Sequence, residues 1–149
     1  MRVEAESPLQ SEVAVLPGQS DVVATRLYPG EYRRPITPEV LANPGTHVLI
    51  ARYSRAAVGL CVIFERGDAT VEVKRMIVDE ATRGRGVGTT LLRSAHAKAK
   101  RLGAHTALLE VGVRNTEAQS LYRSAGYKRR GPFPPYEASP VSLFMELSL

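Results

Sequence analysis

Between Arg83 and Gly88 the chain reads Arg-Gly-Arg-Gly-Val-Gly, with three glycines at alternate positions and two arginines among them. Missing side chains let a ligand come close to the backbone, and a helix that opens here would leave its first N–H groups without internal partners. Such a terminus carries the positive end of the helix dipole and binds phosphate. Arg83, Arg85 and Arg93 add charge suited to a ligand with several phosphates. Two familiar phosphate loops do not fit. A Walker A loop needs a lysine after its last glycine, and no lysine lies between Lys74 and Lys98. A dinucleotide fingerprint is spaced G-x-G-x-x-G, whereas this loop is G-x-G-x-G. A plain flexible turn between strand and helix would also use glycines, so the glycines alone leave both readings open.

Glu72 is a second candidate for chemistry. It lies in the largely apolar stretch Thr70–Val78, and a carboxylate within such a strand is unusual unless it is paired, with Lys74 or Arg75 as candidate partners. Strand alternation is expected to put Glu72, Lys74 and Met76 on one face. Glu110, in the apolar stretch His105–Val111, is its rival; it could share a water with Glu72 or only orient Arg114. His96 and His105 read as surface histidines, and His47 opens a strand with no evident partner. Cys61 lies in an apolar run and reads as a buried residue rather than a nucleophile. No cluster has metal-ligand spacing.

The elements that must hold these residues can be read from periodicity. The first 45 residues are punctuated by prolines, which leaves room for short elements: a strand at Glu12–Leu16, a helix from Ser20 or Asp21 to about Tyr28, and a second helix starting at Thr37–Pro38. From His47 three strands follow, joined by turns at Ser54–Ala56 and Gly67–Asp68 and expected to pair as hairpins. Leu91, Leu92, Ala95, Ala99 and Leu102 then recur at helical spacing up to Gly103, a favourable residue just past a helix end. His105–Val111 is a further strand. A second periodic helix starts at Asn115 or Thr116, where Thr116 and Gln119 have the spacing of a capping box, and ends at Gly126. Tyr127–Arg130 and Val141–Leu147 supply two last strands around a proline-rich loop.

At 149 residues, with 44% hydrophobic and 23% charged residues, the chain has the size and make-up of one folded domain, residues 1–149. One cysteine cannot form an internal disulfide. No apolar run approaches the ~20 residues that cross a bilayer, and the N-terminus is too polar for a signal peptide, so a cytoplasmic location is expected. The formal net charge of +5 favours anionic partners without choosing among nucleic acid, an acidic membrane and a phosphorylated cofactor.

Two stretches together carry a family resemblance. Arg83-x-x-Gly86-x-Gly88, at the end of VEVKRMIVDEATRGRGVG, and Asn115-x-x-Ala118-x-x-Leu121-Tyr122-x-x-x-Gly126-Tyr127 resemble the two hallmark regions of the GNAT (GCN5-related N-acetyltransferase) superfamily. The match covers about Val48 to Tyr127. It implies an α+β fold, a GNAT-type mixed, mostly antiparallel sheet flanked by helices and splayed between strands four and five. It implies acetyl-CoA as cofactor, its pyrophosphate held by amides of Arg83, Gly84, Arg85, Gly86, Val87, Gly88 and Thr89. Met76, Ile77 and Val78 would pair with the pantetheine arm, Asn115 would contact pantetheine or nucleotide, and Tyr122 would lie near the thioester sulfur.

Acyl transfer from a thioester to an amine needs two proton movements. An ammonium of pKa ~10.4 is only about 1 part in 2,500 neutral at pH 7, a penalty of roughly 4.6 kcal/mol, and the departing thiolate gains from a proton donor. Tyr122 is the candidate acid, against the alternative of a core-edge tyrosine; Glu72 is the candidate base, against a plain ion pair. The acceptor is sought where the resemblance is weakest. The segments Leu27-Tyr28-Pro29-Gly30-Glu31 and Gly131-Pro132-Phe133-Pro134-Pro135-Tyr136 resemble those of a narrower group of GNAT sequences, which implies that Glu31 and Tyr136 line an acceptor pocket, against the alternative of ordinary loop residues; Glu110 is the further candidate for contact with the acceptor.

The expected activity is N-acetyl transfer to a primary amine, with a small-molecule acceptor ranked first and a protein lysine or N-terminus second. A non-catalytic basic nucleic-acid-binding module is the reading from another class; it is disfavoured because the basic residues are scattered and lack interleaved aromatics. The expected partners are thus a small amine, with no nucleic acid and no membrane, and with homodimerisation left open.

Overall fold

In this computed structural model residues 1–27, 39 and 42–149 are described, those at 20–27 by their backbone alone. Glu31 and the helix expected to start at Thr37–Pro38 lie outside the described residues. In chain order the elements are β1 (Arg2–Ala5), α1 (Ser11–Leu27), β2 (Thr46–Tyr53), β3 (Ala56–Glu65), β4 (Thr70–Val78), a 3-10 turn (Glu80–Thr82), α2 (Val87–Arg101), β5 (Thr106–Gly112), α3 (Thr116–Ser124), β6 (Lys128–Arg130) and β7 (Ser142–Ser148). The strands form one sheet in the order β1-β2-β3-β4-β5-β7-β6. All neighbours run antiparallel except β4 and β5. That parallel pair is matched only from Thr70 and Thr106 to Val73 and Leu109. Beyond it the strands continue to Val78 and Gly112 with no bridge between them, which opens the sheet where the family resemblance implies a gap.

The N-terminal expectation is corrected. Glu12–Leu16 is helix, not strand, and α1 runs unbroken through Pro17. Val13 and Leu16, three apart, pack into one buried cluster with Val48, Ile50, Leu60, Val62 and Ile77, and this burial outweighs the backbone hydrogen bond that Pro17 cannot donate. The first strand is instead Arg2–Ala5, which pairs with Leu49–Arg52 at the sheet edge. Being an edge strand with mostly exposed side chains, it carries no apolar alternation to betray it.

A bulge in β4 corrects a second expectation. β3 pairs Val62 with Arg75 and Ile63 with Val73, so Lys74 has no residue opposite it. One inserted residue reverses the alternation beyond it. Val73 and Met76 therefore face the α2 and α3 side, where they join a core with Val87, Leu91, Leu92, Ala95 and Ala99. Glu72 stands opposite Phe64, and Ile77 opposite Leu60 in the α1-side cluster. Glu72 and Met76 thus lie on opposite faces of the sheet.

Candidate active site

The glycine loop opens α2 as its composition demands. Gly84 and Gly86 have φ of 81° and 79°, a left-handed conformation that side chains rarely adopt, and Gly86 is the residue that caps the helix. A Cβ built on either would meet nothing within 4 Å, so the space above both glycines is open. The amides from Gly84 to Thr89 donate to no acceptor among the described residues. They face a cleft of about 420 Å³ lined by Met76, Ile77 and Val78 of β4, by the loop, and by Arg114 through Ala118 and Leu121 at the start of α3.

This cleft fits the cofactor that the resemblance implies. A row of unpartnered amides at a helix start, two glycines left bare where a side chain would intrude, and Arg83 and Arg114 in the lining suit a pyrophosphate. Among the described residues Met76 to Val78 have no partner strand on their β5 side, which suits an extended amide-bearing arm. Arg83 turns back to donate from Nε to the Val78 carbonyl at 3.4 Å. Arg85 and Arg93 are exposed, and neither lines the cleft.

Asn115 lines the cleft and is also the cap of α3, its Oδ1 accepting from the Ala118 amide at 3.1 Å. This corrects the expected Thr116–Gln119 capping box. Gln119 is buried and donates instead to the carbonyls of Gly112 and Val113, at 2.8 and 3.1 Å, tying α3 to the end of β5. Sequence reasoning had not assigned Arg114 to the cleft. Its position just before the α3 cap was the available signal, since two helix starts converge there.

Tyr122 is not part of the cleft lining, which stops at its neighbour Leu121. Its ring packs in the core on the α2 side and meets Tyr127 edge-on at 5.7 Å. The hydroxyl makes no hydrogen bond to a described residue, and the residue as a whole is buried. Burial pushes its pKa up, with a smaller opposing effect from Arg75, so the phenol is held protonated. Tyr122 shares that core with Cys61, which stands opposite Met76 beyond the last bridge between β4 and β5.

On the opposite face a polar cluster surrounds Glu72. Its carboxylate is buried; Oε2 accepts a 2.6 Å hydrogen bond from the Tyr136 hydroxyl, and Oε1 lies 3.6 Å from Lys74 Nζ and 3.9 Å from an Arg66 terminal nitrogen. Tyr136 is half-buried and packs against Phe133 and Phe144. Burial, then the bond to Glu72, raises its pKa, so it remains the donor. Glu110 lies on the same side of β5 as Leu108, the residue opposite Glu72, and is exposed with Ser142 donating to it at 2.9 Å. The carboxylates of Glu72 and Glu110 both bear on Tyr136. Glu72 and Tyr136 are 64 positions apart and the structure joins them directly; Lys74 is one of the two partners expected for Glu72. Arg66 was missed, because a residue at a hairpin corner has no periodicity to tell which face it serves.

The remaining candidates fall away from both clusters. Cys61 is buried and its thiol is pushed up to about 12 by that burial. His96 is half-buried rather than exposed, with Nε2 2.8 Å from the Tyr127 hydroxyl; His47 pairs with Glu65 at 2.8 Å. Among the described residues no group of His, Cys, Asp and Glu could hold a metal ion, and no helix is long and apolar enough to cross a membrane.

Comparison with known proteins agrees with the cleft. The family model described as "Acetyltransferase (GNAT) family" matches residues 21–127. The chain is similar to a protein of Azospirillum brasilense named IAA acetyltransferase, 38% identical over 99% of this chain and 97% of the relative. Among solved structures it is similar to a Klebsiella pneumoniae protein provisionally described as an acyl-CoA N-acyltransferase, with a TM-score of 0.83, 30% identity, and 99% and 97% of the two chains covered. The fold is also that of the PaiA N-acetyltransferase of Thermoplasma acidophilum solved with coenzyme A, with a TM-score of 0.77 and 18% identity over the whole of both chains.

Proposed function

The chain belongs to the acetyltransferase (GNAT) family, and on that footing we propose that it transfers an acetyl group from acetyl-CoA to the primary amine of a small molecule. The observation that carries the reading is the break between β4 and β5. It leaves a cleft beside the α2 start, and Tyr122 packs on one face of the sheet with the buried carboxylate of Glu72 on the other.

Bound acetyl-CoA supplies a thioester whose carbonyl carbon is the electrophile. The amides of Gly84 to Thr89 hold the pyrophosphate, Arg83 and Arg114 add charge, Asn115 contacts the arm or nucleotide, and the β4 backbone from Met76 to Val78 pairs with pantetheine. Glu72 takes the proton from the incoming ammonium, directly or through a water. A carboxylate offers about four lone-pair sites, so the bond from Tyr136 leaves room for this. Tyr136 orients the carboxylate, and Glu31 would complete the acceptor pocket. Tyr122 gives its proton to the leaving sulfur. One N–C bond forms and one C–S bond breaks; of the two protons the nitrogen loses, one passes through Glu72 to solvent and the other replaces the proton that Tyr122 gives the thiol.

The test is a panel of primary amines incubated with acetyl-CoA, read by thiol release and by the mass of the acetamide. Acetamide formed in step with free thiol is the expected outcome. Thiol release without acetamide with every amine, while acetylation of peptide N-termini proceeds, would move the acceptor from small molecules to proteins.

A further inference from the structure

We infer that the acceptor is a small zwitterion, an α-amino acid or a compound with the same amine–carboxylate spacing, with its ammonium at Glu72 and its carboxylate at Lys74; this rests on the acetyl-transfer reading above. The charges around Glu72 motivate it. A single carboxylate oxygen, Glu72 Oε1, is approached by two cations, Lys74 at 3.6 Å and Arg66 at 3.9 Å. Arg66 is mostly buried, its guanidinium carbon 5.0 Å from the Phe133 ring centroid, and so it is the fixed counter-ion. Lys74 is half-exposed and surplus to that pairing. The β4 bulge brings Arg75 onto the same face. Glu110 lies on that face as well.

A plain ammonium arriving at Glu72 would therefore meet like charge from Lys74 and Arg66, and a polycationic acceptor would meet more. An acceptor that brings its own carboxylate reverses the sign of that contact. The ammonium and carboxylate of an α-amino acid share one carbon, which matches a carboxylate and an ammonium held 3.6 Å apart. The two pairs then make a four-charge ring of alternating sign. Two aromatic rings flank Lys74, whose Nζ lies 5.6 Å from the Phe64 ring centroid and 6.0 Å from that of Tyr136.

The experiment compares kcat/KM for a series of L-α-amino acids, their α-carboxamides and their decarboxylated amines, in the native protein and in Lys74→Met and Lys74→Glu, with coenzyme A affinity and Tm measured for each variant. The best amino acid should exceed both of its analogues by tenfold or more. Lys74→Met should bring that ratio toward one, and Lys74→Glu should turn it in favour of the decarboxylated amine. Equal or better use of the carboxamide or amine by the native protein overturns the inference and leaves acetyl transfer standing, as does a ratio that survives in folded Lys74→Met. No transfer to any compound, with coenzyme A still bound, overturns the zwitterionic acceptor; absence of coenzyme A binding overturns the underlying reading as well.

Discussion

Replacing Gly86 by Asp should cut coenzyme A affinity at least tenfold, about 1.4 kcal/mol. Two effects contribute and they can be separated. Gly86 has φ 79° and ψ 12°, a left-handed conformation that costs an ordinary residue roughly 1–2 kcal/mol and Asp somewhat less. That cost falls on the free protein. Because a Cβ there meets no atom within 4 Å, nothing else in the fold is disturbed, and a loss of about 1 kcal/mol lowers Tm by only ~2–4 °C in a chain of this size. The second effect appears on binding. A carboxylate in the space where a pyrophosphate should sit repels it by about 1 kcal/mol at 4 Å in bulk water and about 4 kcal/mol near a protein surface. Gly86→Ala carries the conformational cost without the charge and should lose less affinity. Calorimetric titration of coenzyme A at two ionic strengths is the assay, since salt should narrow the gap between Asp and Ala. A folded Gly86→Asp protein that binds coenzyme A as tightly as the native one would refute the assignment of this loop.

Tyr122→Phe keeps the packed ring and removes the phenol, so turnover should fall by roughly 10²-fold or more while donor affinity changes little; unchanged turnover and pH profile would make the tyrosine structural. Gly59→Ala should lower stability by about 1–3 kcal/mol in denaturant titration, because a Cβ there would meet Leu91 Cδ1 at 2.9 Å, the Ile77 carbonyl at 3.0 Å and Val87 Cγ1 at 3.0 Å. Burial, and next the charge of Lys100, hold the folded His96 pKa below that of the unfolded chain, so the unfolded state binds more protons below about pH 6.5 and stability falls as pH drops. His96→Gln should make that decline shallower, as read by Tm between pH 7 and 5.

The parts of this fold that sequence revealed are those whose signal is local. The glycine loop that opens α2 is legible because its three glycines fall within six residues, and α2 and α3 because apolar spacing and a terminal glycine coincide at Gly103 and Gly126. β1 stayed hidden because an edge strand needs no apolar face. α1 was misread because Pro17 and the β-branched Val13 and Val15 outvote the three-residue spacing of Val13 and Leu16. The bulge at Lys74 is the most consequential omission: one extra residue leaves no compositional mark, yet it moves Met76 to the face away from Glu72. The proximity of Glu72 to Tyr136 and Arg66 follows from strand order and a loop's return path, which alternation alone does not encode.

The proposed mechanism turns on Glu72 removing the proton that would otherwise cost roughly 4.6 kcal/mol at pH 7. The direct measurement is the pH profile of kcat/KM for an amine acceptor in the native protein, Glu72→Gln and Glu110→Gln. In Glu72→Gln the acidic limb should vanish or move to higher pH, and raising the pH should partly restore activity by supplying neutral amine from solution. An acidic limb that stays in place in Glu72→Gln but moves in Glu110→Gln, or that moves in neither, would contradict the assignment.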